Sequence, residues 1–232
     1  MALDLRGTTA IVLPGTGSDD DYAYRVFSPT LHGLGAAVST PAPDPRRLIA
    51  GYVAALDEAA RTGPIVVGGV SIGAAVALAW ALDHPALAIG VLAALPAWTG
   101  PSETAPAAAA ARHTAALLRR DGLAATVADM RASSPRWLAD ELTRSWAGQW
   151  PDLPDAMLEA AGYAAPTTTD IGRLSVPLGV AAAVDDAVHP IEVALEWAAA
   201  APRAALRTVT LDGMGADPAV LGAACVAALL EA

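Results

Sequence analysis

The sequence predicts a mostly parallel, doubly wound α/β sheet interrupted by an inserted helical cap, and three observations lead there. Short, wholly apolar runs alternate with helix-like stretches at both ends of the chain, as expected of strands buried on both faces. One of these runs, PIVVGG, leads directly into a serine among small residues and then into an alanine-rich helix. Between Gly100 and Pro166 the strand signal stops and only helical spacing remains.

Taken in order, Thr8 to Leu13 is a β-branched apolar strand that ends at the glycine-rich loop PGTGSDDDY, and a helix follows from Tyr24 to Leu34. Asp19, Asp20 and Asp21 in that loop are read as helix caps or solvated charges. Ala36 to Thr40 is a second strand, stopped by PAPDP, and Asp44 then stands as N-cap for a helix over Pro45 to Arg61. Ile65 to Gly68 forms the next strand and Ile72 to Asp83 its helix, closed by His84-Pro85. Ile89 to Leu95 is a further strand. The insertion carries four helical segments, Ala107 to Arg120, Leu123 to Ala132, Trp137 to Trp146 and Pro154 to Ala161. The alternation then resumes through PLGVAAAV, Ile191 to Ala201, LRTVTL and Ala219 to Glu231. The domain reading is a core of residues 1–99 and 167–232 around a helical cap at 100–166.

Composition narrows the function. The 232 residues, 54% of them hydrophobic, suffice for one sizeable core. A net charge of −10, with a sequence pI near 4.7, opposes binding to a phosphate backbone, so no nucleic-acid partner is expected. The chain has no lysine, which removes Schiff-base chemistry and a phosphate-loop lysine. Cys225, the single cysteine, sits in GAACVAALL as a buried helix residue, so neither an internal disulfide nor a cysteine zinc cluster can form. No cofactor or metal is implied. The start MALDLRGTTAIVLPG lacks the basic head and long apolar run of a secretory signal, and no apolar stretch is long enough for a bilayer. A cytoplasmic protein with no membrane contact and a small-molecule substrate is the expectation.

The segment Gly69-Val70-Ser71-Ile72-Gly73 fits G-x-S-x-G, in which small flanking residues let the chain reverse while holding a strained serine. With a strand entering and a helix leaving, the chain resembles the α/β-hydrolase family over nearly its full length: glycine loop, serine turn, helical insertion, acidic loop, final helix. That resemblance implies Ser71 as nucleophile. It also places Pro14-Gly15-Thr16 at the family's oxyanion segment, so that the backbone N–H groups of Thr16 and Ile72 would face a developing oxyanion. Asp185-Asp186-Ala187-Val188-His189-Pro190 is similar to the family's acidic loop, with Asp186 as the triad acid and Asp185 as the nearer alternative; an N-cap for the helix at Ile191 is the purely structural role.

Where the family has a histidine after its last strand, this chain reads LRTVTLDGMGADPAVLG, with Ala216 in that place, which leaves an incomplete triad. Four histidines are available as a surrogate base. His84 and His32 close helices, and His113 lies in the insertion, solvated unless the cap folds it inward. His189 follows Asp186 at the carboxyl edge of the sheet and is the candidate.

Trp98, Trp137, Trp146 and Trp150 fall at or within the insertion, and the candidate pocket residues are Gly15, Trp98, Trp137, Trp146 and Met214. Arg131, Arg136 or Arg144 could hold a substrate carboxylate. The leading function is hydrolysis of a small apolar or aromatic ester, thioester or related acyl compound through Ser71. The missing histidine keeps two alternatives in view, a non-hydrolytic lyase- or cyclase-like relative and a catalytically silent binding protein.

Overall fold

A computed structural model describes residues 3–232. Six strands, β1 (Thr9–Leu13), β2 (Ala37–Ser39), β3 (Ile65–Val70), β4 (Ala88–Ala94), β5 (Leu178–Ala183) and β6 (Ala204–Val209), form one sheet in the order β2-β1-β3-β4-β5-β6. Every pairing is parallel. Side chains alternate across this sheet and divide the core in two. On one face, Ile11, Leu13, Val67 and Val91 pack under α2 (Leu48–Ala60), α3 (Ile72–Asp83) and α8 (Ile191–Ala200). On the other, Ala10, Val12, Val66 and Leu92 meet α1 (Asp20–Gly33) and α10 (Ala219–Glu231). Strands covered on both faces are apolar at every position, which is why the sequence shows runs here and not alternation.

Between β4 and β5 lie α4 (Pro106–Ser133), α5 (Arg136–Gln149), α6 (Leu153–Ala161) and the short α7 (Thr168–Ile171). Ala115, Leu118, Trp146, Leu153 and Met157 give this insertion a small core of its own. It is also tied to the sheet-flanking helices. The Glu159 carboxylate accepts from the Leu48 and Ile49 amides at 2.9 and 3.1 Å, capping α2 from a distance.

Several boundaries differ from the sequence reading. The helix expected from Tyr24 begins at Asp20, because the Asp19 carboxylate accepts the Tyr22 amide and fixes the start earlier. Asp44 does not cap α2; it accepts from the Arg46 amide and the Arg47 guanidinium, and the helix starts at Leu48. The two helices expected over 107–132 run together as α4, bent at Gly122, whose φ of 78° lies where a side chain is disfavoured. The last strand begins at Ala204, two residues before LRTVTL, and that segment's final residue, Leu211, already opens a short helix, α9 (Leu211–Ala216), which the sequence did not announce. Thr210 starts that helix by accepting the Gly213 amide. No helix among the described residues is long and apolar enough to cross a membrane.

Candidate active site

The strand order reverses between β1 and β3, so the loops that follow those strands diverge and leave a crevice at their carboxyl ends. Ser71 stands there, between β3 and α3, with φ 56° and ψ −115°. Such a backbone costs about 1–3 kcal/mol and persists only where its surroundings hold it. Close contacts do the holding. A methyl group at Gly69 would come within 2.6 Å of the Leu13 carbonyl oxygen, and one at Gly73 within 2.7 Å of that of Pro14. The glycines on either side of the serine are therefore required by the approach of β1. The Ser71 amide donates to Ala94 on the neighbouring strand at 2.9 Å. Ser71 is only 7% exposed, so its hydroxyl opens onto a cavity and not onto bulk solvent.

His189 comes to this serine from the loop after β5. Its Nε2 is 3.0 Å from Ser71 Oγ, and its Nδ1 is 2.8 Å from Asp186 Oδ2. A carboxylate can only accept here, so Nδ1 carries the proton and Nε2 of the neutral ring is left as an acceptor for the serine hydroxyl. The loop folds back on itself because the other Asp186 oxygen accepts the Val188 amide at 2.8 Å and the His189 amide at 3.2 Å. Burial works to raise the Asp186 carboxyl, but the His189 hydrogen bond, the charge of that ring when protonated, and the two amides outweigh it and hold the group below its ordinary value.

The alternative acid is placed too. Asp185 accepts the Leu211 amide at 2.8 Å and so ties its loop to the start of α9. Neither aspartate caps α8, whose N-cap position is Pro190. His84 stacks on Trp80 with ring centroids 4.5 Å apart, and His32 sits in the last turn of α1. His113 borders the cavity from α4.

Ala216 is exposed at the end of α9 and does not border the cavity, whereas Met214 and Leu211 do. The place beside the serine hydroxyl is, moreover, already taken by His189. Ala216→His is expected to leave the rate on an activated ester within about twofold of wild type, a margin small on the scale of general-base effects. A tenfold gain measured with p-nitrophenyl acetate would mean that α9 rearranges.

The cavity measures about 890 Å³. Gly15, Thr16, Trp98, Trp137, Trp146 and Met214 all border it; Ile72 lies behind Ser71 as the first residue of α3. Gly15 packs against Ser71, since a methyl group there would meet Ser71 Cβ at 3.6 Å. Neither the Thr16 nor the Ile72 amide has an internal backbone partner among the described residues. The loop bearing Thr16 is held by α5: Gln149 donates to the Ser18 carbonyl at 2.9 Å, and Arg144 to the Asp19 carboxylate at 3.0 Å. Trp146 lies over Gly17 and Trp137 over Gly215, each with its indole N–H buried and unpartnered among the described residues. Trp150 is 39% exposed and stands outside.

Tyr22 and Leu95, which the sequence did not single out, also line the cavity. Burial, with Glu141 nearby, pushes the Tyr22 phenol up to about 12, so it stays protonated. Leu95 follows β4 and has a φ of 50°, a strained backbone at the cavity floor. The proposed substrate-binding arginines do not reach the cavity. Arg131 and Arg136 face Asp140, and Arg144 meets Asp19, Asp21 and Glu141. Among the described residues no cluster of histidine, cysteine and carboxylate side chains is arranged to hold a metal.

A parallel sheet with a strained serine between β3 and α3 is the architecture of the α/β-hydrolases. The family model described as "Alpha/beta hydrolase family" matches residues 6–227, and the chain belongs to that family. Among solved structures, BpoC from Mycobacterium tuberculosis H37Rv is similar with a TM-score of 0.70 at 17% identity, over 97% of this chain and 94% of that one. MenH from S. aureus gives 0.69 at 15% identity over 88% and 85% of the two chains. A thermophilic esterase from Thermogutta terrifontis gives 0.65 at 18% identity over 88% and 82%. At these identities the likeness shows the fold alone. No curated protein matches the sequence.

Proposed function

We propose that the protein is a serine hydrolase of small apolar or aromatic esters or thioesters. The observation that carries this reading is the unbroken relay from Ser71 Oγ through His189 to Asp186, at 3.0 and 2.8 Å. In this reading His189 Nε2 takes the hydroxyl proton as Ser71 Oγ attacks the substrate carbonyl carbon. The Thr16 and Ile72 amides receive the oxyanion, and Asp186 stabilises the imidazolium. As the tetrahedral intermediate collapses, the bond to the leaving group breaks and the imidazolium returns its proton to that group. Water then attacks the acyl-serine with the same imidazole as base and releases the acid.

The surrounding tryptophans, methionines and leucines favour an apolar acyl or alcohol part. The esterase among the structural neighbours is consistent with this chemistry without specifying it. The lyase-like and binding-only alternatives drew their support from the lack of a base beside the serine, and the His189 contact with Ser71 weighs against them.

A fluorophosphonate probe tests the reading without knowledge of the substrate. Wild-type protein is expected to become labelled on Ser71, and Ser71→Ala to remain unlabelled. Folded wild-type protein that stays unlabelled after prolonged exposure would overturn the assignment of Ser71 as nucleophile.

A further inference from the structure

The cavity wall has a sign. Asp19, Asp129, Glu141, Asp185 and Asp186 border it, no arginine does, and the chain contains no lysine. The guanidiniums just behind the wall are engaged. Arg25 holds Asp21 and Glu141, and Arg144 holds Asp19, Asp21 and Glu141. Two cations thus meet three carboxylates, and the group keeps one negative charge. Asp186 is turned to His189 and Asp185 to the Leu211 amide.

Asp129, on the second half of α4, differs from all of these. It is exposed to solvent where it borders the cavity; its carboxylate makes no hydrogen bond or ion pair among the described residues, and Arg120, which feels its charge, is bonded to Asp121. These carboxylates do not converge as a cation site. Their consequence is for what can enter: a substrate bearing a carboxylate or phosphate finds no arginine or lysine, only the His113 and His189 rings, and the apolar walls formed by Met130, Trp137, Leu142 and Trp146 focus the opposing field.

We infer, resting on the reading of this cavity as the acyl-substrate site, that it selects by charge. It excludes substrates carrying a carboxylate or phosphate and admits neutral or ammonium-bearing ones, with Asp129 as the specificity-determining residue. The sequence expectation of an arginine for a substrate carboxylate is thereby reversed.

Binding without turnover tests this. Ser71→Ala protein is titrated with 3-phenylpropionamide, 3-phenylpropionate and 3-phenylpropylammonium, followed by tryptophan fluorescence. The carboxylate is expected to bind at least about tenfold more weakly than the isosteric amide, in the range by which charged clefts discriminate. The ammonium compound should bind no more weakly than the amide. In Ser71→Ala/Asp129→Asn the gap should narrow about threefold or more, and molar salt should shrink it further. Equal binding of carboxylate and amide would overturn the inference, and an unchanged gap in the Asp129→Asn background would overturn the role of Asp129. Absence of binding by the neutral amide is a separate result, which would defeat the cavity as substrate site. Because nothing is turned over, failure of the hydrolytic reading alone leaves the charge comparison readable.

Discussion

Ser71→Ala and His189→Ala are each expected to lower kcat/KM on a neutral p-nitrophenyl ester by about 10⁴-fold or more, and the double variant is expected to lose no more than either single one. The reason is geometric. In the proposed mechanism the 3.0 Å contact between Oγ and Nε2 joins the two side chains in one proton-transfer unit, so removing either leaves nothing for the other to do. Initial rates of the four proteins, corrected for folded fraction by circular dichroism, measure the cycle. Activity of His189→Ala within tenfold of wild type would eliminate it as the base. Fully additive losses would show that the two side chains act on different steps.

The largest stability effect is expected outside the cavity lining, at Gly222. There α10 crosses α1 so closely that a methyl group would overlap the Val26 carbonyl oxygen and sit 2.7 Å from its carbon. The obstacle is backbone, which cannot rotate aside, so Gly222→Ala should cost about 3 kcal/mol, the upper end for overpacking. A control lies at Gly148 near the end of α5, where an added methyl meets nothing within 4 Å. Gly148→Ala should stabilise by about 0.5 kcal/mol, the gain from helix propensity and a less flexible unfolded chain. Urea midpoints for both variants test this. Equal effects at the two positions would mean that the packing of α1 on α10 is looser than described.

The central strands and helices were legible because burial on both faces writes itself as uninterrupted apolar residues. Ile72 to Asp83 and Ala219 to Glu231 were read to the residue for that reason. Failures gathered where a polar side chain, and not hydrophobic spacing, sets the boundary: Asp19 advances α1, Glu159 caps α2 from another helix, and Thr210 starts α9. The Glu159 cap could not be read from sequence, since 111 residues separate it from Leu48. In the candidate site, the serine turn was legible from its glycines, and His189 from the poor standing of the other histidines. What sequence could not supply was the fold of the Asp186 loop on itself, which depends on two backbone amides. The i,i+4 pair of Arg136 with Asp140 was there to be read, but Arg131 of α4 meets Asp140 of α5, and Arg144 of α5 meets Asp19 and Asp21 at the start of α1, pairings invisible until those helices are adjacent.

The turn from Asp186 to His189 bears on how this chain can change over time. Carboxylate and imidazole are separated by two residues and aligned by amides of the same turn. Their mutual orientation therefore travels as a unit and does not rely on two separately anchored loops staying in register. The stretch from β6 to the carboxyl terminus contributes walls and packing, and Asp185, one position outside the turn, is its polar link to the loop. Under the proposed mechanism, sequence drift in that final stretch can alter the shape of the chamber while leaving the relay in tune, so selectivity and chemistry are free to evolve on different parts of the chain.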